Sequence, residues 1–318
     1  MGGIKDQVEK AGDGGKLNWT SFASCFDGAT ETLGTRTRLF EKYWLYNPSS
    51  FKEQCKQVHK LVDYYVNLAL ATDLPSLKES GMEKGYQHEK YIFLHELVAT
   101  TRDPVELRSQ LLNILLAGRD TTAGLLGWTF YLLVRHPEVY DKLRRTILEE
   151  FGTNLRPGDI TFVNLKACVY LQHVLREALR LYSVVPMNSR RAVRDTTIPV
   201  GGGPDGTAPV YVKKGQEVNY YVHIMHRRKD LWGPDADEFK PDRWIGRKVG
   251  WEFLPFNGGP RICLGQQFAL TKAGYIVVRI MQRFDKIVNE ETDPVVRHAF
   301  HLTTAPAAVK VRLHEARN

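Results

Sequence analysis

The chain has few cysteines. Cys25, Cys55, Cys168 and Cys263 are spread over 318 residues with no Cys-x-x-Cys pair. That spacing excludes a disulfide scaffold and a zinc ribbon. Long apolar runs are also lacking. A membrane-spanning helix needs roughly 20 apolar residues in a row. The best stretch, residues 111–134, is interrupted by Arg119 and Asp120, and the uninterrupted part from Gly124 is too short. Residues 1–16 are polar and glycine-rich and read as neither a signal peptide nor an anchor. No internal repeat is visible, and no motif that reads DNA or RNA, so nucleic acid is not an expected partner. Basic residues outnumber acidic ones only 44 to 36, and they are scattered, as on a solvated surface. What remains is ordinary globular material, 43% hydrophobic and 25% charged, with ample apolar mass for a core.

Apolar periodicity predicts helices over residues 19–40, 50–71 and 91–100, with a break at Asn47-Pro48-Ser49 and a loop or short helical pieces over 71–90. A long helix over 104–135, apolar nearly all round, is expected to be buried. His136-Pro137 ends it, because proline disfavours helical geometry in the residue before it. Further helices are expected over 137–150, stopped at Phe151-Gly152, over 164–182 and over 266–283. Short β-like runs at 197–200, 209–212, 217–221, 299–304 and 309–313 follow Pro186, with a turn at Gly201-Gly202-Gly203 and a long irregular stretch over 227–259. The class is mainly α with small β-sheets.

One cysteine stands apart. Cys263 lies in Phe256-Asn257-Gly258-Gly259-Pro260-Arg261-Ile262-Cys263-Leu264-Gly265, immediately before a long helix. Gly259 and Gly265 allow tight backbone turns around the sulfur. The helix start offers unpaired N–H groups and the positive end of a dipole, and Arg261 adds a cation, all of which favour a thiolate. A thiolate so held is a good soft ligand for iron. A buried structural cysteine is the bland alternative.

The string Phe256-x-x-Gly259-x-Arg261-x-Cys263-x-Gly265 resembles the haem-binding signature of the cytochrome P450 family. Three further motifs of that family precede it in the expected order. Ala117-Gly118-Arg119-Asp120-Thr121-Thr122 lies in the long helix, with Ala117, Gly118, Thr121 and Thr122 on one face, small enough to admit a flat cofactor. Glu177-x-x-Arg180 places an acid and a base on one helical face, and Phe239-Lys240-Pro241-Asp242-Arg243-Trp244 supplies Arg243 to complete a structural Glu177–Arg180–Arg243 network. The wording around residues 179–190 and 263–270 resembles fungal P450s that hydroxylate n-alkanes and fatty acids.

The resemblance implies the C-terminal portion of the P450 fold in a single partial domain, with roof and central helices over 18–150 and the haem-binding core over 151–318. It implies a haem-thiolate monooxygenase that inserts one oxygen atom of dioxygen into an apolar C–H bond of a fatty acid or n-alkane. Cys263 is then the iron ligand. Phe256, Gly259, Gly265 and Ala117 contact the haem, and Arg190 and Arg261 are partners for its propionates. Asp120 and Thr121 become a proton relay. Ala117, Val185, Met187 and Leu302 line an apolar pocket. Electrons come from NADPH through an NADPH–cytochrome P450 reductase, with Lys213, Lys214, Arg227, Arg228 and Lys229 as candidate contacts. His226 is not expected to bind metal, having no second ligand at suitable spacing. The location implied is the cytosolic face of the endoplasmic reticulum, with membrane contact. Roughly the first third of a complete P450 has no counterpart here, as the length already suggests. The alternatives are therefore an incomplete chain with weak or no haem binding, and a reductase-independent haem-thiolate enzyme, against which the Asp120–Thr121 pair speaks.

Overall fold

The computed structural model describes residues 19–71 and 93–316. The loop expected at 71–90 lies, apart from Ala71, outside the described residues. The chain forms two compact units, one running to Ala117 and the other starting at Gly118.

In the first unit, helix α1 (Trp19–Arg38) is followed by a 3-10 turn (Phe40–Leu45), α2 (Ser49–Ala71), α3 (Phe93–Thr100) and the opening turns of α4 (Pro104–Leu133). Helix α2 buries Val58, Leu61, Val62, Val66 and Ala69, one stripe at helical spacing. Val62, Val66 and Ala69 form a small core with Val98 of α3 and Leu107 of α4. Arg108 clamps Asp63 with two hydrogen bonds of 3.0 and 2.9 Å.

The second unit carries the main core. Helices α5 (Pro137–Phe151), α6 (Phe162–Ala167), α7 (Val169–Leu181) and α10 (Gln266–Arg283) pack with the later turns of α4. Trp128, Leu133, Leu143, Ile147, Phe151, Leu171, Leu175 and Met281 are fully buried there. Gly152 ends α5 at φ 71, and a Cβ would lie 2.3 Å from the Arg156 carbonyl, so only glycine fits.

Four antiparallel two-stranded ladders complete this unit. Strand β1 (Asn188–Arg191) pairs with β4 (Glu217–Tyr220), and β2 (Thr196–Gly202) with β3 (Ala208–Val212). Strand β5 (Phe284–Asn289) pairs with the terminal β8 (Val311–Glu315), and β6 (His298–Phe300) forms a hairpin with β7 (Thr304–Pro306). Between β4 and α10 lie two one-turn helices, α8 (Val222–Met225) and α9 (Lys229–Trp232), and 3-10 turns at Pro241–Trp244 and Gly259–Arg261.

Several local expectations need correction. Helix α4 is buried mainly in its later half, with Leu107 buried in its opening turns. Asn113, Ile114 and Ala117 are exposed, and burial becomes nearly complete from Leu125, where the α5–α7–α10 core covers it. The helix expected at 164–182 is two helices broken at Cys168. A Thr161–Asn164 capping box starts the first of them, and the Gln172 side chain occupies the Leu165 carbonyl near the break at 2.9 Å. Gly201 and Gly202 belong to β2, at an irregularity in its register, and only Gly203 lies in the turn. The run at 299–304 is a hairpin turn with parts of both arms, not one strand.

Candidate active site: a cysteine loop anchored by a buried ion network

The loop leading to Cys263 is closed by its own backbone. Cys263 N–H donates to the Phe256 carbonyl at 2.9 Å, and the Phe256 side chain packs against the main core. Asn257 has φ 64, a conformation uncommon outside glycine for which asparagine is among the better candidates. Its carboxamide oxygen accepts from the Tyr220 hydroxyl at 2.8 Å, which ties the loop to β4. Gly259 has φ 69 with open space where a Cβ would stand. The nearest atom to a Cβ at Gly265 is Cys263 Sγ, at 3.9 Å. Helix α10 starts at Gln266, so the thiol lies just ahead of its first turn.

Cys263 is exposed, and so are its neighbours Ile262, Leu264 and Phe268, by 48, 100 and 67%. Large apolar side chains are seldom left this open together without a partner. A thiol flanked in the sequence by open apolar side chains suits a flat apolar group that carries a thiolate-binding iron.

Glu177 and Arg180 have no solvent exposure. The Arg180 Nε and Nη2 atoms grip the Glu177 carboxylate at 2.9 and 2.8 Å. The remaining guanidinium hydrogens go to the carbonyls of His226, Ala236 and Glu238. Glu177 also accepts from the Lys240 backbone, Arg243 Nε at 3.3 Å and Trp244 Nε1 at 3.0 Å. Arg243 reaches Asp235 at 2.7 Å, and the hydrogen bonds from Arg243 and Lys240 hold that carboxyl well below its ordinary range. Helix α7 is thus bound to the whole stretch from His226 to Trp244. Asp235, Trp244 and the three carbonyls are members of this network that the Glu-x-x-Arg spacing does not reveal. A buried tryptophan N–H usually finds an acceptor, and that tendency was the available clue to Trp244.

A second convergence joins α4, the segment after α7 and the β6–β7 hairpin. Thr304 N–H donates to the Val184 carbonyl at 2.8 Å, and its hydroxyl to the Ser183 carbonyl at 3.0 Å. A Cβ on Gly124 would lie 2.8 Å from the Thr304 carbonyl and 3.2 Å from Val184, so α4 approaches through a glycine. Val185, Met187 and Leu302, half-buried, flank this junction. Gly124 was not singled out in the sequence, although it lies three residues past Thr121.

The other expected residues are more dispersed. Ala117 is exposed on α4, in the first unit. Asp120 is half-buried, 3.7 Å from the Arg119 guanidinium, and Thr121 is half-buried beside it. Arg190 is exposed, donating to the Ser189 carbonyl at 2.7 Å, with its guanidinium 5.7 Å from the Tyr220 ring. Arg261 is exposed. Among the surface cations, Lys213, Lys214 and Lys229 are exposed. Arg228 is paired with Asp230. Arg227 is engaged by the Leu181 carbonyl and Asp237 and lies 5.2 Å from the Tyr182 ring. Arg227 is therefore a packing residue rather than a free docking cation.

A family model described as Cytochrome P450 matches residues 21–311. The chain belongs to the cytochrome P450 family. It is 54% identical to Cytochrome P450 monooxygenase g430 of a Fusarium species, over 92% of this chain and 51% of that protein. It is 50% identical to Cytochrome P450 monooxygenase alt2 of Alternaria solani, over 93% of this chain and 56% of that one. With Cytochrome P450 52A13 of Debaryomyces hansenii the identity is 53%, over 86% of this chain and 52% of the relative. The chain therefore spans about half the length of these curated P450 relatives. Among solved structures, the haem domain of cytochrome P450DA superposes with a TM-score of 0.68 at 24% identity, over 93% of this chain and 60% of that one. That likeness is of the fold, mainly helical with small sheets. Among the described residues, no helix is long and apolar enough to cross a membrane.

Proposed function

We propose that the chain provides the haem-thiolate site of a P450 monooxygenase that oxygenates apolar C–H bonds. The observation that carries this reading is the exposed Cys263 thiol ahead of α10, flanked by exposed apolar residues on a loop tied through Leu254 and His226 to the buried ion network. When bound, haem supplies dioxygen activation and oxygen transfer to carbon. Cys263 is the ligand that would hold its iron, and Phe256, Gly259 and Gly265 shape the loop that presents the sulfur. Arg261 and Arg190 would pair with the propionates, because the planar guanidinium matches a carboxylate.

The remaining work falls to other residues of the chain. Asp120 and the Thr121 hydroxyl are the proposed route by which a proton reaches the oxygen substrate. Val185, Met187 and Leu302 offer apolar contact to a long-chain substrate, a fatty acid or n-alkane, and exclude water from it. A flavoprotein reductase oxidising NADPH is the proposed electron source, with Lys213, Lys214 and Lys229 as free docking cations. The cytosolic face of the endoplasmic reticulum is the location that suits such a partner.

The test is turnover. The haem-loaded chain, given reductase, NADPH and dioxygen, is expected to convert n-alkanes or fatty acids to alcohols. The Thr121→Ala variant should keep its haem but lose about 100-fold or more of product formation, the usual worth of a positioned proton donor. A haem-loaded chain that gives no product with any long-chain substrate contradicts the reading.

A further inference from the structure

His226 takes no part in the proposed chemistry, yet it is completely buried and both ring nitrogens are engaged. Its Nε2 lies 2.9 Å from the Leu254 backbone nitrogen, and its Nδ1 lies 3.0 Å from the Ser183 hydroxyl. These partners fix the tautomer. The Leu254 N–H can only donate, so Nε2 must be the unprotonated acceptor. The ring proton then sits on Nδ1 and is given to Ser183, whose own hydroxyl donates to the Leu179 carbonyl at 3.2 Å. Every donor and acceptor in the chain Leu254–His226–Ser183–Leu179 is matched by the neutral ring alone.

The Leu254 end of this chain is the entry to the cysteine loop. Leu254 donates its N–H to His226 and accepts from Asn257 N–H through its carbonyl at 3.2 Å. Asn257 takes its left-handed turn there, and Phe256 closes on Cys263. The other end is the C-terminus of α7, the helix that bears Glu177 and Arg180. Arg180 also binds the His226 carbonyl, so residue 226 is held by backbone and ring alike.

We propose that His226 is a positioning residue, a neutral Nδ1–H imidazole that latches the entry of the Cys263 loop to the end of α7 and thereby sets where the thiol points. The inference concerns the chain's own geometry and stands whether or not haem is bound. The groups facing the ring oppose a second proton. Arg180 approaches from α7 and His223 from α8, and Trp232 and Phe253 close the remaining sides with uncharged rings. The carboxylate of Glu177 is taken up by Arg180, Arg243 and Trp244. Burial is the largest influence and pushes the imidazole down to about 3, partly offset by the nearby Leu179 carbonyl.

The first measurement is the long-range proton–nitrogen NMR spectrum of the histidine-labelled chain from about pH 8 to about pH 5, a range in which an ordinary imidazole titrates. The His226 signal is assigned by its loss in His226→Gln. The expected result is an Nδ1–H tautomer that does not titrate, and an Nε2–H tautomer or ordinary titration overturns the proposal. The second measurement is alkylation of Cys263 in a Cys25→Ser, Cys55→Ser background. His226→Leu should alter its rate by about fivefold, the factor one hydrogen bond is worth, and His226→Gln, which keeps an acceptor for Leu254 N–H, should recover most of it. A folded His226→Leu variant with an unchanged rate refutes the latch. Should that variant not fold, Ser183→Ala, which cuts the other arm, is expected to give the same kind of change, and an unaltered rate there counts against the proposal equally.

Discussion

Arg180, Arg243, Trp244 and the Lys240 backbone all donate to Glu177, so the buried charges of this network are fully compensated. Removing one partner of such a pair leaves an unpaired charge in the core and costs about 3–5 kcal/mol. Glu177→Ala is expected to lose about that much stability, measured by urea unfolding, whereas the exposed pair Arg283–Glu315 should contribute under about 1 kcal/mol. Histidines set the response to acid. Burial pushes His226 down to about 3 and His223 to about 4, from an ordinary value of 6.5. Both are neutral in the fold and bind a proton when it opens, so unfolding takes up protons below pH 6.5. The stability is fully present above that value and falls between it and the lowered values, by about 1.4 kcal/mol per pH unit for each histidine. Unfolding followed from about pH 7.5 to about pH 5 should show this slope, and His226→Gln should remove the share due to His226. At this scale the Glu177–Arg180–Arg243 contacts were legible because the motif spacing is fixed. His226, Trp244 and Asn257 were not, because their importance comes from partners far away in the chain.

Among the elements, those punctuated by proline and glycine were readable. Helix α5 begins at Pro137 and stops at Gly152, and α10 occupies the predicted residues 266–283. Strands β1 and β5 were not. Asn188–Arg191 has no apolar alternation and becomes a strand by pairing with β4, and Phe284–Asn289 follows α10 without any breaker. Tertiary pairing outweighs local pattern in both cases. Two glycines of α4 test the packing reading. At Gly124 a Cβ meets the Thr304 carbonyl, so Gly124→Ala should destabilise by about 1–3 kcal/mol, as overpacking does. At Gly118 a Cβ meets no atom within 4 Å, so Gly118→Ala should stabilise by about 0.5–1 kcal/mol through helix propensity. If haem lies against this face of α4, the same Gly118→Ala change should weaken its binding, read by optical titration.

On the scale of the whole molecule, the second unit holds the cysteine loop, the ion network and the α4–hairpin junction. A net charge of +8 gave no indication of which cations are available. Arg227 and Arg228 have partners, while Lys213, Lys214 and Lys229 stand in solvent. The apolar side chains of Ile262, Leu264 and Phe268 near Cys263 are open to water, and a haem would cover them. The central claim is that Cys263 binds haem iron as a thiolate. It is tested most directly by the carbon monoxide difference spectrum of the reduced, haem-supplemented chain, with Cys263→Ala as control. The account predicts a red-shifted thiolate-type band that disappears in the variant. Haem uptake without that band, or with the same band in Cys263→Ala, would contradict it.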